Sequence, residues 1–570
     1  MLHWSGPTNY NPSMRRIALV VLAAGLLLSV PLAARQPLHA RHGMVVAMEA
    51  TAADVGVSVL QKGGNAVDAA VAVGFALAVT HPYAGNIGGG GYMLIRLADG
   101  RSTFIDFRER APEKATRNMY LDARGELTKD SIEGWRSSGV PGTVRGFEIA
   151  VNKYGRKKWA ENMAPAVELA SKGFPLAWGL TELFKGSKSL PTSPESKRIF
   201  LNNGTPFEPG DRLVQPELAQ TLTRISANGA SEFYEGETAK RFADEMSKHG
   251  GLISLSDLKN YKAVERTPLT GTYHGYTIIT SPPSSSGGIA LLEMLGILDG
   301  TGYEKNGHGS AAAVHYLAES MRRAYADRNE YVGDPDFVKV PIGGLLDPGY
   351  LARLRASIDP ERATPSDRVR PGKPSGTEQM ETTHYSVVDA EGNAVAVTYT
   401  LNGGYGNGIT VPGLGFLLNN EMDDFAAKPG TPNMFGLVQG EINAIQPGKR
   451  PLSSMTPTIV LKDGKLFMTA GAPGGSRIST AVLQVILNVI DFGMNVQDAV
   501  DAPRVHHQWQ PDQVFVEPGF APAVLAALRS RGHAIVPTEP HTSANTIAVT
   551  AGGYVGVADT RTRGALAAGY

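Results

Sequence analysis

The chain has no cysteine. That absence excludes disulfides, a thiol nucleophile, cysteine-ligated zinc, iron–sulfur clusters and a lipidated N-terminal cysteine. Net charge is also missing, because 54 Lys and Arg balance 54 Asp and Glu. With no basic stripe and no polybasic run, neither nucleic acid nor an anionic membrane surface is an expected partner. Three catalytic signatures are absent. The glycine run Gly88 to Gly91 is not followed by Gly-Lys-Ser/Thr, so it is a tight turn rather than a phosphate loop. There is no His-Glu-x-x-His and no Gly-x-Ser-x-Gly, which removes the zinc-peptidase and nucleophile-elbow readings. His506 and His507 are adjacent, lack a ligand spacing and read as structural. No metal and no organic cofactor is expected.

What remains is an ordinary globular composition, 42% hydrophobic and 19% charged, over 570 residues. That length needs several layers or domains rather than one simple core. Arg15-Arg16 precede an apolar or small stretch from Ile17 to Val30, and small residues follow to Ala34 and Ala40. The stretch is shorter than the ~20 residues that span a bilayer. Residues 1–40 therefore read as a cleavable export signal, cut after Ala34 or Ala40, with no stable membrane anchor. The mature chain is expected in the periplasm or outside the cell.

Helical spacing runs from Ala50 to Leu60 and stops at Gly63-Gly64. Asn65 and Asp68 form a capping pair before a second helix, Ala66 to Val79, which is apolar nearly all round and so expected between layers. Tyr92 to Ile95 reads as a strand. From about Pro141 to Asp359 the pattern is mostly helical, with polar loops around Ser189–Ser196 and Pro282–Gly288. Ala363 to Gln379, rich in Pro, Ser, Arg and Gly, is expected to be exposed and mobile.

After that linker the period changes to two. Thr382 to Asp389 alternates, Ala390-Glu391-Gly392 supplies a turn, and Asn393 to Leu401 alternates again. A three-residue turn ending in Gly sets Val388 opposite Ala394 and Thr382 opposite Thr400. A two-residue Glu-Gly turn sets Leu401 opposite Thr382 instead. A threonine pair across a hairpin is usually structural. Here it lies where an exposed linker enters a buried hairpin, so cleavage there frees Thr382 as a new N-terminus.

The run Thr382-Thr383-His384-Tyr385-Ser386-Val387-Val388-Asp389, with Gly392 to Thr398 after it, closely resembles the processing site of γ-glutamyltranspeptidases. Asp106-Phe107-Arg108-Glu109, Asn419 to Phe425, Arg450 to Met455, Gly474-Gly475-Ser476-Arg477 and Pro503 to Trp509 match in the same order. The likeness covers roughly Met44 to Tyr570. It implies an α+β fold, the four-layer αββα sandwich of the N-terminal-nucleophile hydrolases, self-cleaved between Glu381 and Thr382. Residues 41–381 then form a large subunit and 382–570 a small catalytic one, held together as a heterodimer.

The resemblance also assigns roles. Thr382 is nucleophile and, through its freed α-amine, base; Thr400 assists it, and Gly474 and Gly475 form the oxyanion hole. Arg108 takes the substrate α-carboxylate with Ser453 and Ser454, while Asp424, Glu421 and Asn402 take the α-ammonium. Expected donors are glutathione and related γ-glutamyl compounds; expected acceptors are water, amino acids and dipeptides. Ala427 to Lys449 matches a pocket lid, with Phe435 where a tyrosine gate is expected. Two rivals stand beside this reading: a glutaryl or β-lactam side-chain acylase on the same scaffold, and a non-catalytic periplasmic amino-acid binder.

Overall fold

The computed structural model describes residues 36–369, 382–540 and 542–570. The apolar run Ile17–Val30 and Glu381 lie outside the described residues. No described helix is long and apolar enough to cross a membrane.

Two seven-stranded antiparallel sheets lie face to face. The first runs Leu566–Gly569, Met44–Ala47, Thr383–Val388, Ala394–Thr400, Gly90–Arg96, Ser102–Asp106 and Val264–Arg266. The second runs Leu38–Ala40, Gly553–Val557, Asn545–Thr550, Lys465–Gly471, Thr458–Lys462, Tyr276–Thr280 and Leu269–Tyr273. Alternation along a strand divides the cores. Val395, Val397 and Tyr399 pack on the outer helices of the first sheet, whereas Ala394 and Ala396 belong to the core shared with the second. Helices Ala50–Gln61, Ala66–Thr80, Trp159–Lys172 and Pro216–Asn228 form one outer layer. Gly287–Leu298, Ala311–Tyr331 and Ile478–Ile490 form the other. The expected αββα order is present.

Helix Ala66–Thr80 is buried along its whole length. It starts where the sequence places it, with Asn65 Oδ1 accepting from the N–H groups of Val67 and Asp68 at 3.0 Å and Asp68 Oδ2 accepting from Asn65 N–H. Such a cap contributes roughly 1 kcal/mol. Asp68 also accepts from the backbone of Arg156 and Lys157, which fixes the loop leading into helix Trp159–Lys172. The glycine run serves close packing, as expected: a Cβ on Gly89 would sit 2.0 Å from the Thr400 carbonyl oxygen.

The hairpin takes the three-residue turn. Val388 pairs with Ala394, His384 with Thr398 and Thr383 with Tyr399. One further step of that register sets Thr382 beside Thr400, and the two-residue alternative is excluded.

The structure refines two expectations and corrects a third. The middle of the chain is not only helical, because Val264–Arg266, Leu269–Tyr273 and Tyr276–Thr280 are strands that complete the edges of both sheets. They are only three to five residues long, and the two at the sheet edges are half-buried, so they carry little hydrophobic pattern. The loop Pro282–Gly288 is buried, its Ser285 and Ser286 hydroxyls donating to the carbonyls of Met455 and Ser453. The start of the polar linker is anchored. Ser366 is buried, its N–H donates to Asp512 at 2.8 Å, and Trp509 Nε1 donates to the carbonyls of Ser366 and Val369. The rest of the linker, from residue 370 to 379, lies outside the described residues.

Candidate active site

Thr382 ends the hairpin at one wall of a cavity of about 290 Å³. Ten residues singled out from the sequence line it: Arg108, Thr382, Thr400, Asn402, Glu421, Asp424, Phe435, Ser453, Ser454 and Gly475. Gly474 faces a neighbouring cavity that also touches Thr382. Residues more than 300 positions apart thus line one cavity.

Local structure explains how. Thr400 is the last residue of its strand, and its hydroxyl accepts from Asn402 N–H at 2.8 Å. Asn402 has φ 77°, its Nδ2 donates to the Asn420 carbonyl at 3.0 Å, and the residue lines the cavity. Asn419 braces the next turn: its Oδ1 accepts from Gly139 and Glu421 N–H, and its Nδ2 donates to the carbonyls of Gly88 and Gly139. That brace holds the short 3₁₀ turn Glu421–Asp424.

The two acids ending that turn point to different tasks. Asp423 accepts from the Ser131 hydroxyl and from Met434 N–H, both at 2.9 Å, and so ties down the lid. Asp424 faces the cavity and pairs with Arg108. The lid itself lies over the site, with Phe435 and Leu437 in the cavity wall. Asn433 holds Phe435 in place, its Oδ1 accepting from Phe435 N–H at 3.0 Å and from Leu437 N–H at 3.2 Å.

Arg108 is fully buried, its guanidinium paired with Glu421 and Asp424, with Glu109 at 3.7 Å. Its Nε donates to the Pro451 carbonyl at 3.2 Å. Burial disfavours its charge, but Glu421 and Asp424 outweigh that and hold it above the ordinary arginine range. The acids feel burial in turn. It raises Glu421 well above the usual carboxylate range, raises Asp424, and pushes Glu109 up to about 7. Arg328 also lines the cavity, donating to Ser454 Oγ at 3.2 Å, and burial lowers it to about 10. Three acids thus face two guanidinium groups, and a further cation bound there would relieve the excess.

Gly474 and Gly475 have φ 127° and 51°. Both are conformations that favour glycine. Among the described residues neither N–H has a hydrogen-bond acceptor. A Cβ on Gly474 would lie 2.3 Å from Thr542 Cγ2, and one on Gly475 would lie 2.8 Å from Phe435 Cδ1.

The neighbouring histidines are structural, as expected. His506 bonds Thr480 Oγ1 and Gln508 Oε1, while His507 bonds Asp512 and accepts from Trp509 N–H. Elsewhere His315, Glu319 and His533 come within 4.8 Å of one another. The two histidines bond each other at 2.8 Å and Glu319 is held by Arg322 and Arg323, while His533 Nδ1 is buried without a hydrogen-bond partner among the described residues.

Residues 52–569 match the family description Gamma-glutamyltranspeptidase. The chain belongs to the gamma-glutamyltranspeptidase family. It is 50% identical to the glutathione hydrolase proenzyme of Escherichia coli (strain K12), with 98% of this chain and 99% of that protein covered. The gamma-glutamyltranspeptidase of Helicobacter pylori superposes with TM-score 0.56 at 43% identity, covering 56% of this chain and 93% of that one. A cephalosporin acylase from Bacillus halodurans superposes with TM-score 0.83 at 28% identity, covering 95% and 98%. Membership in the gamma-glutamyltranspeptidase family accounts for the motif order, while the acylase likeness shows how widely the scaffold is shared.

Sequence reasoning missed Arg328, Leu437 and Ile478 in the cavity wall. Arg328 had a signal. Arg322, Arg323, Asp327 and Arg328 crowd one helix with Ala318, Met321 and Ala324, and a charged run sharing a helix with small apolar residues is a candidate inner face.

Proposed function

We propose that this γ-glutamyltransferase and glutathione hydrolase works through the hydroxyl of Thr382, freed by scission of the Glu381–Thr382 bond. The observation that carries this reading is the convergence of Thr382, Arg108 and Asp424 on one small cavity. Threonine is a poor nucleophile until a base takes its proton. The freed α-amine, with a reference pKa of about 7.7–8.0, is that base. Thr382 Oγ attacks the γ-carbonyl of glutathione or a related donor, and the N–H groups of Gly474 and Gly475 take the oxygen of the tetrahedral intermediate. The amine leaves, and water, an amino acid or a dipeptide then accepts the γ-glutamyl group from the ester. Before scission the same hydroxyl attacks the Glu381 carbonyl.

The substrate head group is a zwitterion. Arg108 takes its carboxylate with Ser453 and Ser454, and Asp424, Glu421 and Asn402 Oδ1 take its ammonium. The excess of buried acid supports this choice over a glutaryl group, which has no ammonium. Turnover of γ-glutamyl-anilide should exceed that of glutaryl-anilide by at least about 100-fold, since leaving a buried charge unpaired costs several kcal/mol. Equal turnover would move the protein to the acylase reading.

The acids give this preference a pH signature. Carboxylates whose pKa is raised keep their protons in mild acid and gain charge as pH rises, so the pull on an ammonium grows with pH. With Glu109 raised to about 7 and Glu421 and Asp424 raised as well, inhibition by L-glutamate should tighten between pH 5 and about 7. Glutarate, measured alongside, should show no such gain.

The two subunits, residues 41–381 and 382–570, stay joined because their strands alternate. Met44–Ala47 lies between Leu566–Gly569 and Thr383–Val388, and Ala394–Thr400 pairs with Gly90–Arg96. The mature enzyme works in the periplasm or outside the cell. Pairing of Leu38–Ala40 with Tyr554–Gly556 supports signal cleavage after Ala34 rather than Ala40, which starts the large subunit at Arg35 instead of residue 41. Replacing Phe435 by Ala should open the lid and shift the ratio of hydrolysis to transfer at least about threefold, read from the product distribution at fixed acceptor.

A further inference from the structure

The cavity beside Thr382 holds two buried arginines, and they keep different company. Arg108 is divided among the acids. Its guanidinium pairs with Glu421 and Asp424, stands 3.7 Å from Glu109, and gives its Nε to the Pro451 carbonyl. Arg328 has no carboxylate partner among the described residues. Its Nε donates to Ser286 Oγ at 3.1 Å, one Nη to Asn329 Oδ1 at 2.9 Å, and the other Nη to Ser454 Oγ at 3.2 Å. All three acceptors are neutral. The residue is 2% exposed, so bulk water does not screen it. Burial lowers it only to about 10, which leaves it charged at neutral pH. A buried charge without a counter-ion is costly. An anion bound in this cavity would remove that cost.

The contacts also aim the group. Arg328 stands in the last turn of helix Ala311–Tyr331 and reaches the cavity wall from there. Ser286 Oγ accepts from its Nε and donates in turn to the Ser453 carbonyl at 2.6 Å, so the guanidinium and the Ser453-Ser454 backbone are set as one unit. Ser454 Oγ accepts from Arg328 and has no second partner among the described residues, which leaves its own proton for an acceptor in the cavity. A hydroxyl polarised by a cation is the stronger donor for it. The acids thus gather on Arg108 while the unmatched cation is Arg328, and the same wall offers both signs to a ligand.

We propose that Arg328 is a specificity-determining residue for the donor, a second guanidinium that pairs with the substrate α-carboxylate beside Ser454. This deepens the γ-glutamyl reading of the cavity and rests on it. Arg108, already shared by two acids, orients them for the ammonium as well as meeting the carboxylate, and the demand for a carboxylate falls largely on Arg328.

The test uses three anilides that differ only in the head group: γ-glutamyl-anilide, γ-aminobutyryl-anilide, which lacks the carboxylate, and glutaryl-anilide, which lacks the ammonium. Within each variant, kcat/KM for the first over the second reports the carboxylate, and the first over the third reports the ammonium. Arg328→Gln should lower the carboxylate ratio at least about tenfold from its wild-type value, the scale of one charge-assisted contact. The ammonium ratio should change less than about threefold, a small step beside it. Arg328→Lys keeps the buried charge without the planar fork, so its carboxylate ratio should fall between the other two. A role confined to packing would lower turnover of all three donors together and leave both ratios where they were. An unchanged carboxylate ratio in Arg328→Gln, or an equal fall in both ratios, overturns the assignment. If the glutamine variant does not fold, the lysine variant decides by the same criterion. A wild type that turns over glutaryl-anilide as fast as γ-glutamyl-anilide would instead remove the γ-glutamyl reading beneath the proposal.

Discussion

Thr382→Ala should be purified as one uncut chain, with γ-glutamyl-anilide hydrolysis reduced by at least about 10⁴-fold, the scale on which loss of a nucleophile is felt. Two effects combine in this loss. The hydroxyl that opens the chain is gone, so no α-amine is released, and the acyl ester cannot form on an alanine methyl group. Thr382→Ser separates them. Serine keeps the oxygen and loses the methyl group, so scission and catalysis should both persist at reduced rates. The surroundings favour such rescue, because the paired strand begins at Thr383, opposite Tyr399, directly after residue 382. Rates of band conversion on a denaturing gel and of anilide hydrolysis report the two steps independently.

Arg108→Met carries the second largest expected effect. It leaves Glu421, Asp424 and Glu109 buried together around an apolar side chain. Removing one partner of a buried ion pair costs about 3–5 kcal/mol, which corresponds to roughly 100- to 1,000-fold or more in an equilibrium. The loss should appear in kcat/KM for γ-glutamyl-anilide and as a lower thermal midpoint. The stranded acids should take up protons, so the variant should recover stability as pH falls from 7 toward 5. The sign follows from linkage: a carboxylate whose folded pKa lies above its unfolded value favours folding on the acidic side and loses that contribution as pH rises through the folded value. Arg108→Lys should restore charge but little activity, since an ammonium cannot reach Glu421, Asp424 and the Pro451 carbonyl with one planar fork.

A smaller loss is expected at the oxyanion glycines. Gly474→Ala meets Thr542 at 2.3 Å and φ 127°, so kcat should fall about 10²- to 10³-fold with KM little changed. Steady-state kinetics separates this outcome from a loss of donor binding.

Much of this site was legible in the sequence, for reasons that differ by residue. The Thr382–Thr400 pairing follows from hairpin parity and one glycine turn, which are local rules. The Asn65–Asp68 cap and the buried helix after it follow from composition and spacing. Arg108, Asp424 and Gly474-Gly475 came instead through motif order, because nothing local reveals that a guanidinium will be buried beside acids more than 300 positions away. The strands Val264–Arg266, Leu269–Tyr273 and Tyr276–Thr280 were not legible, since runs of three to five residues are too short to show a period. Arg328 escaped for the opposite reason. Its helix mixes six alanines with a run of charges that shows no clean apolar stripe, although Arg328 reaches inward to Ser286 and Ser454. The anchoring of Ser366 and Val369 on Trp509 depends on a contact 140 residues away, and composition alone marks that segment as loose linker.

The measurement that bears most directly on the mechanism is N-terminal sequencing of the chains in purified, active enzyme. Two chains are predicted, the smaller beginning Thr382-Thr383-His384 and retaining a free α-amine. A fully active preparation consisting of one continuous chain across residues 381 and 382 would contradict it.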